Sequence, residues 1–434
     1  MITIRRRNIG EWLILFVVIF STFFLGLKQM VGLPGIFDYV VDLVLFVLFI
    51  LEIVKISKSK LDRDMGKIKL IFWIVFFLIY ASASYLWNFQ SIFYFLNGFR
   101  NTFRFYVFFV ACILFLTEEE VHFYFKVFDW LLLVNVLLCT YQFFVLGKKM
   151  DFLGGIFGTE SGCNAYMNTF LMIVMIRSVL LYLHREESIW LCFAKFLGTV
   201  YIASLAEIKI VFFELILIII LATLFTKFTW RKLFIIVGGV VFICMGVTAL
   251  LAIFPEWAQH FSVEGIYNIV ASKDGYTGTG DLNRLTAIQT INEKFFRTIP
   301  EKLFGYGLGN CDYASVDFLT TSFYRMHYRL HYTWMSTAIV YLELGFVGLI
   351  FYFGLFIDVF WQACKKISQN HNFIFQFAKI MAIFCVVIGI YNNSLRTDAG
   401  YMAYLALAFV FAQGKTYEPK KEKKYLKYEY KKNN

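Results

Sequence analysis

Apolar runs of about 20 residues recur along this chain, and an α-helix of that length crosses a hydrocarbon core roughly 30 Å thick. Of the 434 residues, 60% are hydrophobic and only 16% are charged. A soluble core of this size would instead show alternation or amphipathic stripes. Only helices and closed barrels can span lipid, and barrels carry a weaker, alternating signal. The sequence therefore predicts an all-α polytopic membrane protein.

We predict about twelve transmembrane helices in a single membrane domain that covers residues 1–434. The expected spans are 12–27, 36–54, 68–87, 92–116, 123–146, 164–183, a hairpin of two spans turning at 206–209, then 233–253, 331–357, 374–391 and 399–412. No small-residue cleavage site follows the first run, which we interpret as an uncleaved span. The segment 413–434 contains eight lysines and is expected to be a disordered basic tail.

Basic residues concentrate in loops that fall on one side of the predicted membrane. The loop 55–69 is the most basic internal segment, and the tail has the same predicted side. Since cytoplasmic loops carry the excess of lysine and arginine, both termini are expected in the cytoplasm and the long loop 254–330 outside. The net charge of +11 is therefore a topological signal and not a nucleic-acid footprint.

The long loop 254–330 is a polar segment between apolar spans, and residues that act on a substrate outside the lipid would lie in it. A helix is expected at 281–298, with six apolar residues on one face of its wheel: Leu282, Leu285, Ile288, Ile291, Phe295 and Ile299. Arg284 projects onto that apolar face between Ile291 and Phe295. A guanidinium turned towards the protein needs an anionic partner or a hydrated cavity. Arg284 is therefore either an anion ligand or a loop arginine near a frayed helix start.

His331 is predicted at the mouth of the tenth span. A neutral imidazole there can accept a proton from a sugar hydroxyl, although histidines are also common at membrane interfaces without a catalytic role. Arg325 and Arg329 precede it and fit interface anchors.

The fourth span carries a polar stripe on a helix rich in phenylalanine. Asn97, Arg100, Asn101 and Arg104 follow one another at i, i+3, i+4 and i+7. Charges within a span usually face a cavity or a partner, because insertion costs roughly 2.5–3.5 kcal/mol each. The stripe either lines a cavity or reaches outwards to lipid phosphates.

Two further basic residues lie at predicted outer turns, each beside a carboxylate. Lys209 has Glu207 as its neighbour, and Arg396 has Asp398. Local ion pairs explain these positions as well as a ligand does.

Other patterns have less specific interpretations. Asp62-Arg63-Asp64 has the form of a metal–nucleotide-sugar motif but lies in a lysine-rich inner loop, which favours a solvated segment. Cys163 and Cys311 are expected outside the lipid, where a disulfide between them is possible. The sequence contains no metal-binding cluster, P-loop or serine nucleophile motif.

Three segments together resemble the O-antigen polymerase and ligase superfamily, and most closely the Wzy-type polymerases. They are an arginine-bearing loop helix, the motif FGYGLGN at 304–310, and a histidine leading into YLELGFVGL at 341–349. SLAEIKIVFFEL is similar to the point where relatives often place a basic residue at the start of a span, here Lys209. The likeness covers mainly residues 200–350, together with the overall topology.

The resemblance implies a GT-C-like glycosyltransferase that uses no metal, cofactor or nucleotide sugar. Its substrates would be undecaprenyl-pyrophosphate-linked oligosaccharides, both donor and acceptor, joined into capsule or O-antigen at the outer face of the bacterial cytoplasmic membrane. Arg284 and His331 match the arginine and the histidine that the family uses, and Asp38 is a reserve base. Further cations expected at the lipid pyrophosphate are Arg100, Arg104, Lys209, Arg325 and Arg396. A chain-length regulator is a possible partner besides the membrane lipids.

Three other functions remain open on the sequence. An O-antigen ligase would transfer finished glycan to another acceptor by the same chemistry. A flippase or other transporter belongs to a different class, and such proteins often carry repeats and charges at the midplane. A structural or sensory membrane protein without catalysis is the last alternative.

Overall fold

The computed structural model describes residues 7–33, 37–58, 65–256, 258, 262–272, 274–314, 316–367 and 372–412. Within these ranges the chain is helical and contains no named strand. In the same described ranges, seven helices are long and apolar enough to cross a membrane, and an eighth crossing results if one bent pair is a single span. The prediction of a polytopic α-helical membrane protein is therefore confirmed.

Helices occupy each of the predicted spans. In chain order they are α1 (Ile9–Val18), α2 (Leu25–Val31), α3 (Asp38–Lys58), α4 (Met65–Asn88), α5 (Ile92–Phe115), α6 (Glu118–Phe144), α7 (Cys163–Leu183), α8 (Ile189–Leu205), α9 (Lys209–Phe225), α10 (Trp230–Ile253), α11 (Val263–Val270), α12 (Ala287–Lys294), α13 (Ile299–Phe304), α14 (Ser322–His327), α15 (Ser336–Ile367), α16 (Phe373–Tyr391) and α17 (Gly400–Ala412). The seven long apolar helices are α4, α5, α6, α7, α10, α15 and α16.

The helices α7, α16 and α17 form the centre of the bundle. Every residue of α17 is buried, and α17 packs against α5, α7 and α16. A helix that is apolar on all sides is stable only when it is enclosed. By contrast, α4, α6 and α10 are buried over only 28% of their apolar windows, so their exposed sides form the surface that faces lipid.

The chain bends by 59° between α1 and α2, through a π-helical turn at Ile19–Phe23. The hydroxyl of Ser21 donates to the carbonyl of Val17 at 2.6 Å, and Thr22 bonds in the same way to Val18. Hydroxyls that bond back to the helix backbone compete with its hydrogen-bond ladder and bend it. The bend turns α2 towards the segment that precedes α7, where Thr159 N–H donates to Gln29 at 2.9 Å.

The glycine motif at 304–310 lies directly against two membrane helices. Gly305, Gly307 and Gly309 all have positive φ angles, of 71°, 99° and 81°. A Cβ atom on Gly98 of α5 would lie 2.3 Å from the Cα of Gly309, so the two backbones touch with no room for side chains. Glycine is required here because the chain must be left-handed and close-packed at once.

The motif also fills a break in α15. Gly345 has φ 61° and ψ −161°, which interrupts the helix and frees the carbonyls before it. Tyr306 N–H donates to Leu342 and Gly307 N–H donates to Glu343, each at 2.8 Å. The 304–310 motif and the start of α15 therefore complete each other's backbone hydrogen bonds.

The helix predicted at 281–298 is shorter than expected. Leu282 pairs with Tyr276 in an isolated β-bridge, and its N–H donates to Leu330 at 3.0 Å, so the helix starts only at Ala287. It ends at Lys294, and Thr298 then caps a separate helix, α13. Arg284 consequently lies in a turn, and the predicted helical face does not exist at its position.

Candidate functional site

A cavity of about 720 Å³ opens at one end of the helical bundle. Its wall is formed by the first turns of α7 and α9, the end of α16, and the segments just before α15 and α17. A second cavity of about 280 Å³ adjoins it, and Tyr166, Asn393, Thr397 and Asp398 line both. We call them the large cavity and the small cavity.

Helix starts contribute positive potential to the large cavity. The first residues of α7, from Cys163 to Tyr166, line it, and so do Lys209 and Ile210 of α9. Unpaired N–H groups and the helix dipole make such starts favourable to anions. Carboxylates also line this cavity, among them Asp151, whose side chain accepts a hydrogen bond from Asn164.

Arg284 lines the large cavity and is half-buried. Its Nη1 donates to the carbonyl of Tyr391 at 2.6 Å, and its guanidinium lies 4.8 Å from the centre of the Tyr391 ring. No carboxylate of the described residues lies within ion-pair distance of it. The helical wheel that motivated the prediction is wrong at Arg284, which lies in a turn and lines a cavity, and its role as an anion ligand stays a prediction.

His331 is not one of the residues that line the large cavity, and it does not lie at the start of a helix. It has a left-handed φ of 49°, and α15 begins five residues later at Ser336. Its ring stacks on Trp334, with centroids 3.8 Å apart, and Trp334 lines the large cavity. Its Nδ1 is hydrogen-bonded to the carboxylate of Asp281.

The carboxylate of Asp281 is hydrogen-bonded to the side chains of Thr279 and His331. Burial, the largest single influence, raises the pKa of this carboxyl, but hydrogen bonds from Thr279 and His331 together lower it below its usual range. The Thr279 hydroxyl donates to Asp281 at 2.6 Å. A charged Asp281 favours the tautomer of His331 with its proton on Nδ1, which leaves a lone pair on Nε2.

Lys209 lies where the predicted hairpin turns, since α8 ends at Leu205 and α9 begins at Lys209. Its Nζ is 3.0 Å from the carboxylate of Glu207, and both residues line the large cavity. The local ion pair that the sequence left open is therefore present, and the lysine faces the cavity as well.

Arg104 and Arg396 both line the small cavity. Arg104 pairs with Asp398 at 2.9 Å, whereas Arg396 lies 3.6 Å from Asp312 and 3.7 Å from Glu343. The pair of Arg396 with Asp398 that the sequence offered is wrong, because each residue has its ion-pair partner on another segment.

The remaining predicted cations lie outside both cavities. Arg100 pairs with Asp42 of α3 at 2.7 Å, and Arg325 pairs with Asp317 at 3.0 Å on an exposed part of the loop. Segments 62–64 and 413–434 lie outside the described residues, and the side chain of Asp38 is likewise not described. For Arg100 and Arg325, a role at the pyrophosphate stays a prediction.

All eight cysteines lie in described ranges, and none of them forms a disulfide. Cys163 donates to the carbonyl of Asp151, and Cys311 is fully buried in the loop. The disulfide between them that the sequence allowed is absent. Among the described residues, no three His, Cys, Asp or Glu side chains are grouped closely enough to hold a metal ion.

Several site residues escaped the sequence analysis. Asp281, Trp334 and Tyr391 carry no motif signal, because only the folded loop brings them to the cavity. Glu343 was detectable, since a carboxylate in the middle of the apolar run YLELGFVGL marks a functional position in a membrane helix.

The sequence matches no known protein-family profile and no curated protein sequence.

Proposed function

We propose that this protein is a metal-independent glycosyltransferase of the bacterial cytoplasmic membrane. It joins oligosaccharide repeat units carried on undecaprenyl pyrophosphate into a capsular, O-antigen or exopolysaccharide chain. One observation carries the proposal: a single cavity is lined by Arg284, Lys209 and Trp334, and the ring of His331 stacks on Trp334. The same proposal includes twelve spans in a GT-C-like arrangement, cytoplasmic termini and an outward-facing cavity.

The reaction replaces one bond to the anomeric carbon with another. A hydroxyl of the acceptor sugar attacks the anomeric carbon of the donor, and lipid pyrophosphate leaves with the electrons of the glycosidic bond. His331 Nε2 takes the hydroxyl proton, and the hydrogen bond from Nδ1 to Asp281 stabilises the imidazolium that forms.

Arg284 stabilises the leaving group. Pyrophosphate departs readily once its charge is held, and a planar guanidinium can bind two of its oxygens. Because Arg284 has no carboxylate partner among the described residues, its charge is not already neutralised by the protein. The first turns of α7 and α9 add favourable potential for the same anion.

The test supplies purified lipid-linked repeat units to the protein in liposomes. Formation of a ladder of longer glycans on the lipid supports the polymerase. Substrate consumed only when a second acceptor is added identifies a ligase instead. Translocation of the lipid without any new glycosidic bond would contradict an enzyme of either kind and indicate a transporter.

A further inference from the structure

The small cavity differs in charge from a site built for pyrophosphate. Two guanidinium groups line it, those of Arg104 and Arg396, and two carboxylates, those of Asp312 and Asp398, balance them. Glu343 adds a further carboxylate 3.7 Å from Arg396. Both guanidinium groups of the small cavity already have carboxylate partners, whereas Arg284 of the large cavity has none among the described residues, so the small cavity suits an uncharged polar ligand.

Arg396 is the least satisfied side chain in the small cavity. Only 3% of its side chain is exposed, yet its closest carboxylate oxygens lie at 3.6 and 3.7 Å, beyond hydrogen-bond range. Its Nε and Nη1 have no hydrogen-bond partner within the described part of the chain. Buried donors are nearly always paired in folded proteins, so these two nitrogen atoms leave Arg396 with unused hydrogen-bonding capacity at the wall of the small cavity.

The acceptors of the small cavity are fixed in place. Asn101 donates to Asp312 at 2.9 Å, and Arg104 binds Asp398 at 2.9 Å. Each carboxylate retains further lone-pair sites. Fixed acceptors alternating with buried donors match sugar hydroxyls, because every hydroxyl both donates and accepts.

We propose that the small cavity is a sugar-binding subsite, which holds an uncharged sugar residue of the lipid-linked oligosaccharide while the large cavity holds its pyrophosphate. The shared lining at Tyr166, Asn393, Thr397 and Asp398 makes the two cavities continuous, as one sugar–pyrophosphate substrate requires. This inference rests on the proposed function, and it reassigns Arg104 and Arg396 from the pyrophosphate to the sugar.

Binding measurements on the purified protein with two probes test the subsite. One probe is the free oligosaccharide repeat, released from the polysaccharide of the producing cells by mild hydrolysis. The other is undecaprenyl pyrophosphate without sugar. Arg396→Lys is expected to weaken oligosaccharide binding at least about tenfold, and Asn101→Ala about 3–10-fold, because charged and neutral hydrogen bonds are lost respectively. Binding of undecaprenyl pyrophosphate should change less than about twofold in either variant.

Arg284→Lys is the matched variant of the large cavity. It should bind undecaprenyl pyrophosphate more weakly than the wild type and bind the free oligosaccharide as the wild type does. Retained binding of undecaprenyl pyrophosphate also serves as the folding control. If Arg396→Lys binds neither ligand, that variant has failed the folding control. The binding of the oligosaccharide by Asn101→Ala is then the deciding measurement. The subsite is overturned if the wild type binds undecaprenyl pyrophosphate but no free oligosaccharide, or if Asn101→Ala binds the oligosaccharide as the wild type does. Failure of the wild type to bind either probe overturns the proposed function as well.

Discussion

The Nη1 atom of Arg284 lies 2.6 Å from the carbonyl oxygen of Tyr391, the last residue of α16. A cation at this position satisfies a terminal helix carbonyl and opposes the negative end of the helix dipole. Arg284 is thus anchored by a neutral group, and it reaches the cavity with its charge uncompensated by any carboxylate of the described residues. A purely structural helix cap would have the same contact, so the two roles have to be separated by experiment.

Arg284→Lys is expected to keep the charge and to lower the rate of glycan extension. Lysine can still approach the Tyr391 carbonyl, but it cannot bind two pyrophosphate oxygens in a fork. Loss of a charge-assisted hydrogen bond worth about 1.5–3 kcal/mol corresponds to a rate lower by about 10–150-fold. The measurement is initial rate with purified lipid-linked repeats, and Arg297→Lys, on the exposed surface, is the control. Parental rates in both variants would assign Arg284 to the helix cap alone.

Asp281→Asn is expected to reduce turnover by up to about 10²–10⁴-fold, the range for losing general-base catalysis. An amide can donate to Nδ1 of His331 and thereby favour the tautomer whose proton is on Nε2, where no base remains. Thr279→Val removes a hydrogen bond to the same carboxylate at 2.6 Å but leaves the contact with His331. That control should lose little activity, and equal losses in the two variants would argue that the loop conformation matters more than the tautomer.

The lowered pKa of Asp281 predicts an acid-dependent contribution to stability. A carboxyl whose folded-state pKa is depressed stabilises the fold fully above its unfolded pKa of about 3.9, and this contribution is lost as the pH falls through the lower folded-state value. The stability difference between wild type and Asp281→Asn in thermal unfolding should therefore shrink as the pH falls below about 4. A difference that grew in this acid range would contradict the direction of the shift.

Gly345→Ala is expected to destabilise the protein and to lower its yield in the membrane. The backbone there has φ 61°, and an added Cβ would lie 2.4 Å from the carbonyl carbon of Leu303. Strained backbone of this type costs about 1–3 kcal/mol before the clash is counted. Gly278→Ala is the control, because nothing lies within 4 Å of the added methyl group. Equal midpoints of thermal unfolding would show that the break in α15 tolerates a side chain.

Single-cysteine labelling tests which side of the membrane the cavity faces. With the eight native cysteines replaced, Glu293→Cys in α12 should react with an impermeant reagent in intact cells, since the basic loops predict that side to be outside. Glu186→Cys, in the exposed turn between α7 and α8, should react only after lysis. The opposite pattern would reverse the orientation and remove the cavity from the outer face.

The sequence predicted the helical membrane fold, the turn at Lys209 and the position of the long loop between two late helices of the chain, because each depends on local apolar length and charge. It predicted a helix over 281–298 incorrectly, since the β-bridge of Leu282 with Tyr276 takes the backbone bonds that a longer helix would need. It offered Asp398 as the partner of Arg396 and missed Asp312, because ion-pair choice depends on how distant segments pack. No sequence pattern predicts the contact of His331 with Asp281, because the two residues are 50 positions apart in the chain.

The hydrogen bonds from the 304–310 motif into the break at Gly345 have a consequence for chimaeras. Exchanging the long loop alone between two related chains would place foreign glycines against a native α15, and the carbonyls of Leu342 and Glu343 would lose their donors unless the new backbone followed the same path. The loop and the first third of α15 are therefore one transplantable unit. A swap that preserves assembly has its junctions before residue 303 and after residue 345.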